Sequence, residues 1–127
     1  MKRDMDLIRL ILLEIEKSDE EYVTNMMIDG YSSKEVVYNA KLLKQNNLIE
    51  VCKEDIIGDY IIGSLTWYGC DYLDKIRDNS NWKKVKDIIK EKALPMTFET
   101  VKSVATAIIS AATEGAVTAY LYNGGEF

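Results

Sequence analysis

Two short apolar runs, Leu48-Ile49 with Val51 and Tyr60-Ile61-Ile62, lie on either side of the polar connection "KEDIIGD", and each adjoins a helical pattern with almost no spacer. Runs of this kind joined through a glycine, here Gly58, read as a β-hairpin whose loop is longer than the tightest type. Residues 48–64 are therefore expected to form two antiparallel strands set between helices.

The helix entering the hairpin is capped by Ser32 or Ser33 and runs through Asn46, with Val36, Ala40 and Leu43 at i, i+4 and i+7 as its buried stripe. Asn46 or Asn47 can take the left-handed conformation that ends a helix, a position more often held by glycine. The helix leaving the hairpin opens at "LTWYGCDYLD", residues 65–74. Thr66 can accept a hydrogen bond from a backbone N–H two or three residues on, and Leu65 can staple the strand to the new helix. Gly69 lets the first turn approach its neighbour closely, although glycine inside a helix costs about 1 kcal/mol relative to alanine. Tyr72, Leu73 and Ile76 continue the buried face.

Upstream, Leu7, Ile8, Ile11, Leu12 and Ile15 recur at intervals of three and four, the stripe of an amphipathic helix with Asp4 and Asp6 at its positive end. "EEYVTNMMIDGY" breaks that period: Val23 and Thr24 suit one short strand, and Asp29-Gly30 marks a turn. Downstream, "SNWKKVKDIIKEK" reads as a helix with Trp82, Val85 and Ile89 inward. After Pro95, Thr97 can cap a last helix carrying Phe98, Val101, Val104, Ala105, Ile108 and Ala112 on one face, with Gly115 expected to end or interrupt it and "YNGGEF" read as a frayed end.

Helix, short strand, helix, hairpin, helix is the element order of a winged-helix domain. The expected fold class is α+β, mainly α: a winged-helix domain over residues 1–92, followed by a C-terminal helical extension and tail over residues 93–127. A length of 127 residues with 47% hydrophobic side chains suffices for one core with room for an appended helix.

The chain has no histidine, and Cys52 and Cys70 form no Cys-x-x-Cys pair, so the usual nitrogen and sulfur metal sites cannot be assembled within one chain. "MKRDMDLIR" is too charged to open a secretory signal, and the longest uncharged run, Ser103 to Thr113, is too short to cross a bilayer. The expectation is a cytoplasmic protein with no membrane contact. The net charge of −5 gives no overall attraction for phosphate.

Three segments, "MKRDMDLIRLIL", "VVYNAKLLKQNNLIE" and "LTWYGCDYLDKIRDNSNWKKVK", together resemble the bacterial and prophage family catalogued as domain of unknown function 2513. The likeness covers roughly residues 1 to 92, in order and without a large insertion. It implies a winged-helix-like fold and no settled activity. The sequence departs from the pattern at Cys70, where histidine is expected, and at Asn47, where glycine is common before the Leu-Ile pair.

On a helical wheel, Lys34, Tyr38, Lys41 and Gln45 lie opposite Val36, Ala40 and Leu43. These side chains suit double-stranded DNA, lysines neutralising phosphates, Gln reading adenine, and Tyr bonding phosphate or stacking; they equally suit a solvated helix face. The hairpin connection "KEDIIGD" has one lysine against three acids and would repel the phosphates that a basic wing attracts. Ile56 and Ile57 are either tucked under the hairpin or exposed as an anchor for a protein partner. Residues 83–92 carry Lys83, Lys84, Lys86, Lys90 and Lys92 against Asp87 and Glu91, either a phosphate-binding face or a solvated helix with its stems over Trp82.

No P-loop, G-x-S-x-G elbow or dinucleotide fingerprint occurs, and Cys70, lacking a histidine base and lying in a helix expected to pack, reads as a small buried hydrophobe rather than a nucleophile, so neither an enzyme nor a cofactor is expected. The expected function is a bacterial or prophage winged-helix DNA-binding regulator acting through Lys34, Tyr38, Lys41 and Gln45. The alternative is a protein-interaction module, such as a phage accessory factor binding a host protein through Ile56 and Ile57. A homodimer through the C-terminal helix is expected, its stripe being Val101, Val104, Ala105, Ile108 and Ala112.

Overall fold

The computed structural model describes residues 1–122, so the end from Asn123 on, read above as frayed, lies outside the described residues. The chain divides into two compact units, Met1–Arg77 and the residues from Asp78 on.

The first unit follows the expected order: α1 (Met5–Lys17), β1 (Tyr22–Thr24), α2 (Ser33–Gln45), β2 (Ile49–Glu54), β3 (Tyr60–Leu65) and α3 (Trp67–Ile76). Asp4 caps α1 by accepting from the Leu7 N–H, and Leu7, Ile8, Ile11, Leu12 and Ile15 are buried, as their spacing requires. Ser32, rather than Ser33, caps α2 in a reciprocal box: its hydroxyl accepts from the Glu35 N–H at 3.2 Å while the Glu35 carboxylate accepts from the Ser32 N–H at 3.0 Å. Val36, Ala40 and Leu43 are buried, and Asn47 (φ 59°) is the left-handed residue after the helix.

The strands form one antiparallel sheet in the order β1-β3-β2, with Val23 opposite Ile62 and Glu54 opposite Tyr60. This is the winged-helix arrangement, in which the hairpin supplies two strands and the short segment after α1 supplies the third. One departure is plain. Residues 25–32, which would hold the first helix of a helix-turn-helix, form a turn, with positive φ at Asn25 (51°) and Gly30 (86°) breaking any helical run. Tyr60 fastens that turn to the hairpin: its N–H donates to the Asn25 side chain at 2.9 Å and its hydroxyl to the Met26 carbonyl.

At the hairpin's exit the chain is drawn tight. The Thr66 hydroxyl accepts from the Gly69 N–H at 2.9 Å and donates to the Asn47 carbonyl at 2.6 Å, and the Thr66 N–H donates to the Leu48 carbonyl at 3.1 Å. Gly69 sits against that carbonyl so closely that a Cβ there would lie 2.0 Å from the Leu48 oxygen. Close approach is thus the reason for the glycine. Tyr72, Leu73 and Ile76 are buried beneath it. Buried Arg9 closes the far end of α3, donating from Nε to the Ile76 carbonyl and from Nη2 to the Arg77 carbonyl, both at 2.7 Å.

The second unit is a pair of helices, α4 (Asn79–Glu91) and α5 (Phe98–Tyr122). Asp78 caps α4, and the Thr97 hydroxyl accepts from the Thr100 N–H at the start of α5. Trp82, Val85 and Ile89 face inward as expected, with Val101 and Ala105. Two sequence readings need correction here. Gly115 neither ends nor interrupts α5, because a single helical glycine with open space around it costs only about 1 kcal/mol and the flanking alanines propagate the helix. Nor does Glu114 bound the apolar segment: it is one carboxylate within a continuous 25-residue helix, and by length and composition alone α5 could cross a membrane.

Candidate interaction face of the second helix and the hairpin

The buried stripe of α2 fixes its opposite face. Lys34, Lys41 and Gln45 are exposed and Tyr38 is half-buried, so the four predicted residues share the solvent side of one helix. The hairpin limits what that side can do. Lys34, Tyr38 and Lys41 line a cleft of about 400 Å³ together with Val37 of α2 and Glu54, Gly58 and Tyr60 of the hairpin. Lys41 Nζ lies 2.5 Å from Glu54 Oε1, and this hydrogen-bonded carboxylate raises the Lys41 pKa above its ordinary value. The central lysine of the predicted contact face is therefore already matched by a carboxylate of the same unit. Gln45 is not among the residues lining the cleft.

Sequence reasoning missed Val37, Glu54 and Tyr60 as members of this face. Glu54 was visible as one of three acids in the hairpin connection, but its pairing with Lys41 depends on how the hairpin lies beside α2, which no local pattern reports.

The hairpin tip is built by its acids. The Asp55 carboxylate accepts from the Ile57 N–H at 3.0 Å and the Asp59 N–H at 2.9 Å, and Gly58 (φ 97°) supplies the left-handed step. Of the two readings for Ile56 and Ile57, tucked under or exposed, the tip enforces the second. Ile56 is fully exposed and Ile57 is 84% exposed. Two branched apolar side chains thus stand outward on an ordered acidic turn.

In the second unit, Lys86 lies over the Trp82 ring, 5.6 Å from its centroid, the arrangement of a lysine stem covering an aromatic. Cys52 is half-buried, and burial pushes its thiol above the usual pKa, which makes a poor nucleophile, while Cys70, expected to be buried, is exposed because it lies off the α3 face formed by Gly69, Tyr72, Leu73 and Ile76. Among the described residues no group of three or more His, Cys, Asp or Glu side chains is placed to hold a metal ion.

Fold and face together define a small α+β, mainly helical, winged-helix protein in which α2 and the hairpin enclose a cleft beside an apolar hairpin tip. The chain belongs to the family described as hypothetical protein (DUF2513), whose model matches residues 2–95. It is also similar to an uncharacterized protein of Haemophilus influenzae, 40% identical over 115 residues, covering 87% of this chain and 97% of that protein. No solved structure matches it.

Proposed function

We propose that this chain is a non-enzymatic bacterial winged-helix protein-interaction module, which holds a partner protein at the β2–β3 hairpin, with Ile56 and Ile57 entering an apolar pocket on the partner. The observation that carries the reading is the Lys41–Glu54 pair. A recognition helix inserts into the major groove as a projecting ridge, with its cations free for phosphate. Here the middle of α2 is joined to the hairpin across a cleft, its lysine charge is matched, and the adjoining turn carries Glu54, Asp55 and Asp59. An ordered tip with two exposed isoleucines suits a protein pocket whose rim is basic, because the tip is pre-organised and its acids then meet lysine or arginine.

DNA binding through Lys34, Tyr38, Lys41 and Gln45 stands as the second reading, favoured by their common position on the solvent side of α2. One experiment separates the two. A photoreactive residue is placed at position 57 or at position 34 in the full chain in its bacterial host, and the purified protein is run against mixed-sequence duplex DNA at low salt. The interaction reading expects a discrete protein adduct from position 57, lost with Ile56→Asp, and no duplex retardation. Retardation that weakens steeply with salt and disappears with Lys34→Glu, while Ile56→Asp leaves it intact, would replace the module with the regulator.

A further inference from the structure

The apolar face of α5 is only partly covered. Val101 and Ala105, on the face that α4 packs against, are buried. At 100° per residue the same face continues through Ile108, Ala112, Ala116 and Ala119. α4 has 13 residues and α5 has 25, and beyond Ile109 every described residue of α5 is exposed, among them Val117 and Leu121 at more than half of their surface. Around α4's first turn, Asn81 with Ile108, Ile109, Ala112, Thr113, Ala116 and Val117 lines an open groove of about 410 Å³. An interface that α4 begins therefore runs on past the end of α4, where the described residues of α5 are exposed.

We infer that this continuation is covered by a second copy of the chain, the two α4–α5 pairs joining as an antiparallel four-helix bundle that crosses at Ala112, Ala116 and Ala119. Three features select this occupant. The stripe extends an existing helix–helix contact, so a third helix laid along α5 meets the same kind of surface that α4 already meets. The unit's own core is small: a pair of helices burying two aliphatic side chains and a tryptophan from α4, and one valine and one alanine from α5, has little to stand on, whereas two such pairs share one core. Small residues at 112, 116 and 119 let two helix backbones approach closely about a two-fold axis near Ala116. A bilayer suits the helix less well, because Lys102, Thr106, Ser110, Glu114 and Thr118 form a continuous polar row along its length. The inference is independent of what the hairpin binds.

It also moves the interface predicted from sequence. Val101 and Ala105 belong to the contact with α4, and the self-association surface shifts toward the C-terminal half of α5.

The test is sedimentation equilibrium on the full chain from micromolar to hundreds of micromolar. The expected species is a dimer of about 29 kDa, twice the 14.5 kDa of one chain. Ala116→Glu, with helicity checked by circular dichroism, should give monomer, and Ser103→Glu on the opposite face should leave the dimer intact. As a second readout that does not depend on tolerating a buried charge, Ala116→Cys in a Cys52→Ser, Cys70→Ser chain should form a disulfide-linked dimer on mild oxidation, and Ser103→Cys should not. A full chain that is monomeric throughout overturns the inference. So does a dimer indifferent to Ala116→Glu, or a chain that floats with phosphatidylcholine–phosphatidylglycerol vesicles while remaining monomeric in solution.

Discussion

Glycine to alanine is the same chemical change at positions 69 and 115, both helical, yet it should change stability in opposite directions. In an exposed helix interior the added methyl is worth about 0.5 to 1 kcal/mol, because alanine loses less backbone entropy on ordering. Gly115 has nothing within 4 Å of where its Cβ would be, so Gly115→Ala should realise that gain in α5. At Gly69 the new Cβ meets the Leu48 carbonyl oxygen at 2.0 Å and the Leu48 carbonyl carbon at 3.0 Å. Neither is the far end of a flexible side chain, so the first turn of α3 must move away by more than an ångström. That movement incurs the upper part of the overpacking range, about 3 kcal/mol, and breaks the Thr66 N–H to Leu48 carbonyl bond, about 1 kcal/mol more. Subtracting the propensity gain leaves Gly69→Ala destabilised by about 3 kcal/mol. Urea unfolding followed by circular dichroism reads both variants, with the slope of the transition checked for constancy. A Gly69→Ala protein as stable as the parent would show that α3 does not abut Leu48, and with it the whole account of the hairpin's exit would fail.

Thr66→Ala should cost about 1 to 2 kcal/mol, since one hydroxyl both caps α3 and bonds the Asn47 carbonyl, and Leu73→Ala about 2 to 5 kcal/mol through a cavity at a fully buried site; the reverse order in urea melts would refute this placement of α3. Burial pushes the Tyr72 phenol well above its ordinary pKa. The folded state then holds that proton more tightly than the unfolded chain, so the contribution is whole below the unfolded tyrosine pKa of about 10 and is lost as pH rises toward the folded value, at no more than about 1.4 kcal/mol per pH unit. Tyr72→Phe should remove that slope, and parallel stability curves for the two proteins between about pH 9 and 11 would contradict it.

Much of the first unit was legible because its signals are local. The α1 and α2 stripes, the Ser32 and Thr66 caps and the left-handed Asn47 each rest on residues within a few positions of one another, whereas the glycine at 69 signalled a close approach without showing that Leu48 is the neighbour approached. What was not legible joins distant parts. Buried Arg9 reads as a charge interrupting an apolar stripe until the carbonyls of Ile76 and Arg77 are brought to it. Asn39, 1% exposed, reads as polar filler in α2, yet its side chain accepts from the Asp4 N–H at 2.8 Å and donates to the Glu35 carbonyl at 3.0 Å, tying α1 to α2. In both cases a buried polar group is satisfied by a partner that periodicity cannot supply.

The same limit governs the candidate face. Helical spacing correctly placed Lys34, Tyr38, Lys41 and Gln45 on one side of α2, but the charge of that side is a property of the pair α2 and hairpin. Glu54 stands opposite Tyr60 at the base of the connecting loop, and this register brings its carboxylate to Lys41. Moving the register by one residue would turn Glu54 to the other face of the sheet. Lys41, already on the solvent side of α2, would then lose its carboxylate partner. The charge of this face thus depends on the strand register, which counting lysines along the helix cannot report.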